Sequence, residues 1–329
     1  MKRTIYFKNK PKIIGTGSVA GPKESNGSIN AYIKTKLDDD TFGENTFEKA
    51  ETKMLYTAIK TGIESSGIDK SDIDVIIAGD LLNQIVASTF ASRNFPSSFL
   101  GVYNACASFT EALTIGATLI DGGYFNNVVC ATSSHFSTAE RQYRYPLELG
   151  STRPPQSQWT VTGAGASVLS MNGTGPKIVA STVGRVVDFG VVDVNNMGAA
   201  MAPAGADTLL THFIDTGLKP SDYDLIVSGD LGTLGSRILK DLMWEKGFDI
   251  EKQHVDCGEL IYNICEDEYQ GGSGAGCSSL VFNSYIYEKL KNRKLKNVLI
   301  MATGALLSSV TSQQGESIPG IAHAVSIEC

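Results

Sequence analysis

A lone cysteine, Cys106, stands where an apolar run gives way to a helical pattern, in the stretch YNACASFTEALTIGATLIDGGY. The unpaired N–H groups at a helix start favour an anion, so this position predicts a reactive thiolate. Free cysteine is also among the most buried residue types, and simple packing is an equally good interpretation of the sequence. The remaining cysteines, at positions 130, 257, 265, 277 and 329, are expected to pack rather than react.

The apolar residues after Cys106 recur at helical spacing and predict a helix buried between two layers. They are Phe109, Ala112, Leu113, Gly116, Ala117 and Ile120.

The elements that must position this helix occur twice in the chain. Residues 57–84 align with residues 207–234 without a gap, and both copies run into Gly-Asp-Leu. Each copy predicts a helix stopped at glycine, a Ser-Asp turn and a short strand, Val75–Ala78 in the first and Leu225–Ser228 in the second. The sequence therefore predicts one αβ unit used twice.

A second alignment places Cys106 on Cys277 and extends the duplication along the chain. The two copies meet at the Gly/Pro-containing turn MNGTGPK, residues 171–177, which is too short for a flexible linker. We therefore predict two closely fused βαβ-rich halves, residues 1–172 and 173–329.

Composition excludes several classes of function. The 329-residue chain has a formal net charge of −7, so it offers no basic field for nucleic acid. Its cysteines form no CxxC pair, which argues against zinc or a disulfide framework and indicates a reduced, intracellular protein. It has neither a signal-peptide pattern nor an apolar run of about 18 residues, so no membrane span is predicted.

Two fused halves with a helix-initiating cysteine resemble the thiolase superfamily of condensing enzymes. Within it, AGDLLNQ, ATSSHFSTAERQYRYPLE, WTVTGAGASV and GGSGAGCSS are similar to runs of the stage V sporulation protein AD family. The resemblance implies a thiolase-like α/β fold in five layers, αβαβα. It also implies a homodimer, located peripherally at the forespore inner membrane, that binds dipicolinic acid (pyridine-2,6-dicarboxylate). With membrane proteins of the same operon, it would support uptake of this acid into the developing spore.

The catalytic residues that condensing enzymes use do not carry over to this sequence. Where the resemblance implies a histidine, the chain has Asp230, whose charge would raise the pKa of a thiol and repel an oxyanion. The next catalytic loop offers only Ser273, beside Gly272, and the loop that holds a second cysteine in thiolases has Gly304. Cys106 is thus expected to be a relic nucleophile in a ligand site. Two alternatives remain: an acyl transferase that uses Cys106, and a purely scaffolding role.

A planar diacid needs cations or N–H donors for its two carboxylates. The stretch TAERQYRYP supplies Arg141 and Arg144 as candidate cations, and a solvated charged loop is the alternative interpretation. Amides of the glycine-rich turn 271–276 are candidate further donors, although its glycines could equally serve close packing. Asp80 and Asp230 would be poor direct partners of a dianion. They could bind it through Ca²⁺, orient an arginine, or only cap turns, and no other cofactor is expected.

The histidines offer no obvious replacement base. His135 and His323 lie nearest the predicted site loops, either lining the pocket or serving as structural residues. His254 is expected at a strand start, and His212 on the solvated face of its helix.

Overall fold

The computed structural model describes residues 2–143, 153–262 and 269–329. Its strands are β1 (Thr4–Tyr6), β2 (Lys12–Ala20), β3 (Thr35–Lys36), β4 (Val75–Gly79), β5 (Ser98–Gly101), β6 (Asn127–Ser134), β7 (Trp159–Thr160), β8 (Gly163–Ser170), β9 (Lys177–Thr182), β10 (Leu225–Ser228), β11 (His254–Asp256), β12 (Gly272–Ser273), β13 (Asn297–Ala305) and β14 (Gly320–Glu328). Its α-helices are α1 (Pro22–Ser25), α2 (Phe47–Ser66), α3 (Val86–Ser92), α4 (Ser108–Asp121), α5 (Phe136–Tyr143), α6 (Met197–Thr216), α7 (Gly232–Glu245), α8 (Cys257–Ile261), α9 (Ala275–Val281), α10 (Tyr287–Lys291) and α11 (Ser309–Gln313). A π-helical turn, Phe282–Ile286, joins α9 to α10.

The two copies of the sequence repeat fold into the same unit. Helix α2 ends at Gly67 and helix α6 ends at Gly217, and both glycines are left-handed, with φ of +76° and +72°. A short 3₁₀ turn follows each helix and leads into β4 or β10. The predicted helix, turn and strand are therefore confirmed in both copies.

The main sheet consists of two five-stranded groups with the same strand arrangement. The first group has the order β5-β4-β6-β8-β2, and the second has the order β11-β10-β13-β14-β9. In each group three parallel strands are followed by two antiparallel ones. The groups meet between β2 and β9, which pair through Lys12 and Lys177.

Helices alternate with the two sheet groups in five layers. Helices α2 and α3 cover the outer face of the first group, and α6 and α7 cover that of the second. Helix α4 lies between the groups and contacts β4, β6, β13 and β14. Separate hydrophobic clusters fill the central layer and each outer interface. The αβαβα architecture predicted from the sequence is confirmed.

The apolar stripe predicted for α4 is fully buried between the sheets. Cys130, Cys257 and Cys277 are also buried, as expected for packing residues, whereas Cys329 is exposed and Cys265 lies outside the described residues. Among the helices that the structure describes, none is long and apolar enough to cross a membrane.

The prediction that His212 is solvated is wrong. Its side chain is fully buried, with Nδ1 2.7 Å from Thr182 Oγ1 and Nε2 2.7 Å from Tyr223 Oη. His212 aligns with Gly62, which is also buried against the sheet in the first copy. The inward register of α6 therefore places a histidine in the core, where two hydroxyls supply its hydrogen-bond partners.

Candidate functional site

Cys106 lies in a 3₁₀ turn, Ala105–Ala107, that directly precedes α4. Ala105 has φ of +49°, an unfavourable conformation for a residue with a Cβ. Hydrogen bonds hold the turn, because Ser108 Oγ donates to Ala105 O at 2.8 Å and accepts from Asn104 N at 3.0 Å. The turn directs Cys106 towards a cavity while leaving only 6% of the residue exposed.

The backbone of the second half packs directly against this turn at Gly304. A Cβ at Gly304 would lie 2.4 Å from Asn104 O and 3.2 Å from Ala107 N. Only glycine therefore allows β13 to approach the cysteine turn this closely. Gly304 shapes the site through this packing and is not among the residues that line the cavity.

Asp230 lies just after β10 and is the polar partner of Cys106. Its carboxylate accepts hydrogen bonds from Thr303 Oγ1 at 3.0 Å, Ser273 Oγ at 3.1 Å and Gly274 N at 3.0 Å. The Cys106 thiol lies beside this carboxylate and interacts with it electrostatically. Only 1% of Asp230 is exposed, and this set of donors satisfies a carboxylate in that environment.

The electrostatics of this site oppose a thiolate. Burial raises the pKa of Cys106 well above its ordinary value, and the charge of Asp230 raises it further. Burial also raises the pKa of Asp230, although its polar neighbours, Cys106 among them, act in the other direction. Desolvation and a neighbouring carboxylate thus oppose the effect of the N–H groups at the helix start and favour the thiol form.

The cavity above Cys106 has a volume of about 330 Å³. Its walls are mainly apolar, with hydroxyl groups distributed around them. The apolar lining residues are Leu81, Ala105, Ala139, Met197, Gly274, Ala305, Leu306 and Leu307. The lining hydroxyls belong to Tyr103, Tyr143, Thr160, Ser273, Ser308 and Thr311.

Two tyrosines form a hydrogen-bonded chain along one wall. Tyr143 Oη donates to Leu81 O, so Tyr103 Oη, 2.7 Å away, donates to Tyr143 Oη. Burial raises the pKa of Tyr143, and this phenol therefore remains neutral.

Glu140 is the single charged residue among the described lining residues. Its Oε2 lies 3.1 Å from Arg153 Nη1, and its Oε1 accepts from Thr160 Oγ1 at 3.0 Å. The guanidinium of Arg153 also lies over the rings of Phe136 and Trp159. Glu140 is thus neutralised locally by a cation that is itself held in place.

The sequence-predicted site residues divide into two groups. Cys106, Asp230 and Ser273 come together at the cavity floor, and Gly272 lies beside them without lining the cavity. Asp80 instead organises the loop after β4, where it accepts from Leu82 N at 2.9 Å and from Ser88 N and Oγ, both at 2.7 Å.

Of the two predicted arginines, the structure describes Arg141 alone, and it does not lie at the cavity. Arg141 lies outside its lining and pairs with Glu48 at 3.2 Å, where both side chains are 45% exposed. The guanidinium also lies over Phe47. Arg144 lies outside the described residues.

No histidine lines the cavity in the part of the chain that the structure describes. His323 is the nearest to the cysteine turn, with Nε2 3.3 Å from Asn104 Nδ2, and burial lowers its pKa to about 4. His135 accepts from Ser137 N and contacts Asp40 O. His254 is the first residue of β11, as expected from the sequence.

The sequence analysis missed the hydroxyl of Thr303, the Glu140–Arg153 pair and the wall formed by Met197 and Tyr103. These residues come from distant segments, and only the folded structure brings them together. Tyr143 and Glu140 do lie within the TAERQYRYP stretch that had suggested the arginines.

The similarity of this chain to known proteins shows its family. The sequence model of stage V sporulation protein AD matches residues 1–328. The chain belongs to the stage V sporulation protein AD family. A family member from Bacillus subtilis strain 168 is 41% identical over 327 residues, which is 99% of this chain and 97% of that protein. Membership of this family supports a role in sporulation and suggests a spore-forming bacterium as the source.

More distant relatives are condensing enzymes. A beta-ketoacyl-[acyl-carrier-protein] synthase III of Vibrio vulnificus is 32% identical over 150 residues, covering 38% of this chain and 44% of that protein. The structure of 3-oxoacyl-[acyl-carrier-protein] synthase III from Aquifex aeolicus matches with a TM-score of 0.59, 16% identity and coverage of 97% and 100% of the two chains. The acetamide-bound structure of Xanthomonas campestris OleA matches with a TM-score of 0.62, 13% identity and coverage of 99% and 100%. These structures confirm the thiolase-like fold.

Proposed function

We propose that this protein binds dipicolinic acid in the cavity above Cys106 and supports its uptake into the developing spore, without catalysing acyl transfer. The observation that carries the proposal is a ligand-sized cavity with a buried cysteine, whose thiol form is favoured by burial and by the neighbouring charge of Asp230.

The absence of catalysis follows from the state of the sulfur. Acyl transfer begins with attack by a thiolate, and the attacking group needs a base or a lowered pKa. Burial and Asp230 act in the opposite direction at Cys106. Among the described residues that line the cavity there is no histidine, lysine or arginine to take the proton or to stabilise an oxyanion.

The size and lining of the cavity favour a small aromatic acid. Its volume is at the lower end of the range for small-molecule sites, so it suits one ring better than a long acyl chain. Leu81, Met197 and Leu307 offer apolar contacts to the faces of a ring. A hydroxyl such as that of Ser308 can donate to a carboxylate at its edge.

The two negative charges of dipicolinate still need compensation, because Asp230 and Glu140 are acidic. We propose two sources. Arg144 directly follows the cavity residue Tyr143 in the chain and remains a candidate cation. Alternatively, Ca²⁺ enters already chelated by the ligand, since the described residues contain no group of three or more metal-ligating side chains.

Calorimetry with dipicolinate, in the presence and absence of Ca²⁺, tests ligand binding directly. Saturable one-site binding is expected, and no binding under either condition would contradict the proposal. Mass spectrometry of Cys106 after incubation with acetyl-CoA and malonyl-CoA tests catalysis. An unmodified cysteine is expected, whereas a stable acyl adduct that is missing in Cys106→Ala would favour the acyl-transferase alternative.

We also propose that the protein acts as a homodimer at the spore membrane, with membrane proteins of its operon as partners. Strand β5 pairs with β4 on one side and forms an edge of the main sheet within the described residues. Such an edge favours pairing with a second chain. Sedimentation analysis should give a dimer, and a monomer at all concentrations would contradict this assembly.

A further inference from the structure

A second cavity, of about 700 Å³, lies at the opposite end of the sheets from Cys106. It is bounded by Asn127, the first residue of β6, and by Ser170, the last residue of β8. The Cys106 cavity lies beyond the other end of the parallel strands, where Leu81 and Leu306 follow β4 and β13. The two cavities therefore offer separate sites.

The charge of the second cavity is positive. Its charged lining side chains are those of Lys34, Lys291 and Arg293, and no Asp or Glu lines it in the described residues. This concentration of cations stands out in a chain with a formal net charge of −7. Long-range attraction of an anion into a concave site follows from such an arrangement.

The three cations have no anionic partner in the described part of the chain. No carboxylate of those residues lies within ion-pair distance of any of them. Lys34 Nζ donates to the backbone oxygen of Thr16 at 2.5 Å and contacts its Oγ1 at 3.3 Å. Desolvation chiefly lowers the pKa of Lys34, Glu288 opposes this, and the charge of Lys291 lowers it further. A bound anion would be attracted by the charges of Lys34, Lys291 and Arg293 together.

The surroundings of these cations suit an oxyanion. The turn Asn172–Pro176, with Gly173, Thr174 and Gly175, forms one wall between the halves, and Ser65 and Ser66 line another. The hydroxyls of Ser65 and Ser66 already donate to Thr16 O and Ile63 O. The hydroxyl of Thr174 can donate to a phosphate oxygen, and arginine provides a fork that matches phosphate.

We propose that this second cavity binds a phosphate-bearing anion through Lys34, Lys291 and Arg293. The recognised group is the phosphate itself, carried either by a small soluble molecule or by a phospholipid headgroup. This site is independent of dipicolinate binding and goes beyond the function proposed above.

The test uses pyrophosphate in calorimetry at fixed ionic strength, and sedimentation with vesicles of phosphatidylglycerol or of phosphatidylcholine. One triple variant replaces the cavity cations: Lys34→Gln, Lys291→Gln and Arg293→Gln. A control makes the same change of charge at three cations elsewhere: Arg237→Gln, Lys246→Gln and Lys252→Gln. The parent and the control should bind alike, and the cavity variant should bind at least about 100-fold more weakly.

Binding of pyrophosphate supports a soluble ligand, and binding of phosphatidylglycerol vesicles alone supports a headgroup. The proposal is overturned if the parent binds neither probe, or if the cavity variant, folded by circular dichroism, binds as the parent does. If the control variant loses as much binding as the cavity variant, the effect is one of net charge alone, and the proposal is again overturned. Cys106→Leu should leave pyrophosphate binding unchanged, and loss of binding in this variant would place the anion in the other cavity.

Discussion

The thiol of Cys106 lies beside the carboxylate of Asp230, and both residues are almost completely buried. The carboxylate of Asp230 accepts hydrogen bonds from Ser273, Gly274 and Thr303. The same group therefore fixes the cavity floor and favours the thiol form of Cys106. In this arrangement an acidic residue stabilises the thiol form, which is the reverse of what a histidine partner does for a nucleophile.

Replacing Asp230 by asparagine should increase the reactivity of Cys106. Removing the negative charge lowers the pKa of the thiol, and each unit of decrease raises the thiolate fraction about tenfold. Iodoacetamide labelling across pH, followed by mass spectrometry of the Cys106 peptide, measures this effect. Cys130 is an internal control, since burial alone raises its pKa. An unchanged labelling rate for Cys106 in a folded variant would mean that Asp230 does not govern the sulfur.

Gly304→Ala should disturb the cysteine turn from the second half of the chain. The added Cβ would lie 2.4 Å from Asn104 O, so the backbone must shift, at a cost of about 1–3 kcal/mol in unfolding free energy. Gly62→Ala is the control, because its Cβ would meet only ordinary contacts, from 3.4 Å outwards, inside α2. Urea denaturation should find this variant neutral or slightly more stable. Equal stabilities for the two variants would show that the close approach at Gly304 is unimportant.

The duplicated helix, turn and strand could be predicted because their signals are local. Glycine at positions 67 and 217 ends each helix in a conformation that other residues rarely adopt, and the apolar spacing after Cys106 fixes the buried face of α4. The alignment of His212 with Gly62, however, did not by itself reveal that this position of α6 faces the core.

The site was predictable at its floor but not at its walls. Asp230 follows β10, a strand that the repeat predicts, so its place at the end of that strand follows from the sequence. Ser273 lies in β12, which pairs with β7 outside the main sheet, and its loop was found only through the family resemblance. Asp80 occupies the matching position in the first half, yet its carboxylate turns back to Leu82 and Ser88. Which way a side chain turns at the end of a strand depends on the loop donors available there, and the sequence pattern does not contain that information.

The free energy of unfolding should fall as pH rises from about 4.5 to about 8, because buried carboxyl groups keep their protons in the folded protein. Burial, reinforced by Asp80, raises the pKa of Glu51 from 4.5 to about 8. Between these values the folded protein holds a proton that the unfolded chain has lost, so unfolding free energy falls by up to about 1.4 kcal/mol per pH unit. Burial also raises the pKa of Glu24 and of Asp256 to about 7, which adds to the slope near neutrality.

Glu51→Gln should reduce this slope, since the amide imitates the protonated acid between Ser133 and Thr138. Denaturation curves from about pH 7 to about pH 8.5 measure it, in a range where the buried histidines are neutral in both states. Glu316→Gln, at an exposed position, should keep the slope of the parent. If the slope survives unchanged in Glu51→Gln, this carboxyl is not its source.

Arg141→Ala should change dipicolinate affinity by less than about twofold, because Arg141 pairs with exposed Glu48 outside the cavity lining. Arg144→Ala is the companion variant. If Arg144 supplies a charge-assisted contact, its loss should weaken binding by about 2–4 kcal/mol, roughly 30- to 1000-fold in Kd. Calorimetry on both variants makes the comparison. A large loss in Arg141→Ala would contradict the placement, and no loss in Arg144→Ala would leave Ca²⁺ as the proposed compensating charge.

The central claim, that dipicolinate occupies the cavity above a relic nucleophile, is tested most directly by titrating dipicolinate into Cys106→Ala and Cys106→Leu. Alanine removes the sulfur but keeps the space, so it should cost about 1 kcal/mol in stability and at most part of the affinity. Leucine should fill the cavity floor and abolish binding while the protein stays folded. Retained binding in Cys106→Leu would place the ligand elsewhere, and complete loss in Cys106→Ala would mean that the sulfur itself is required.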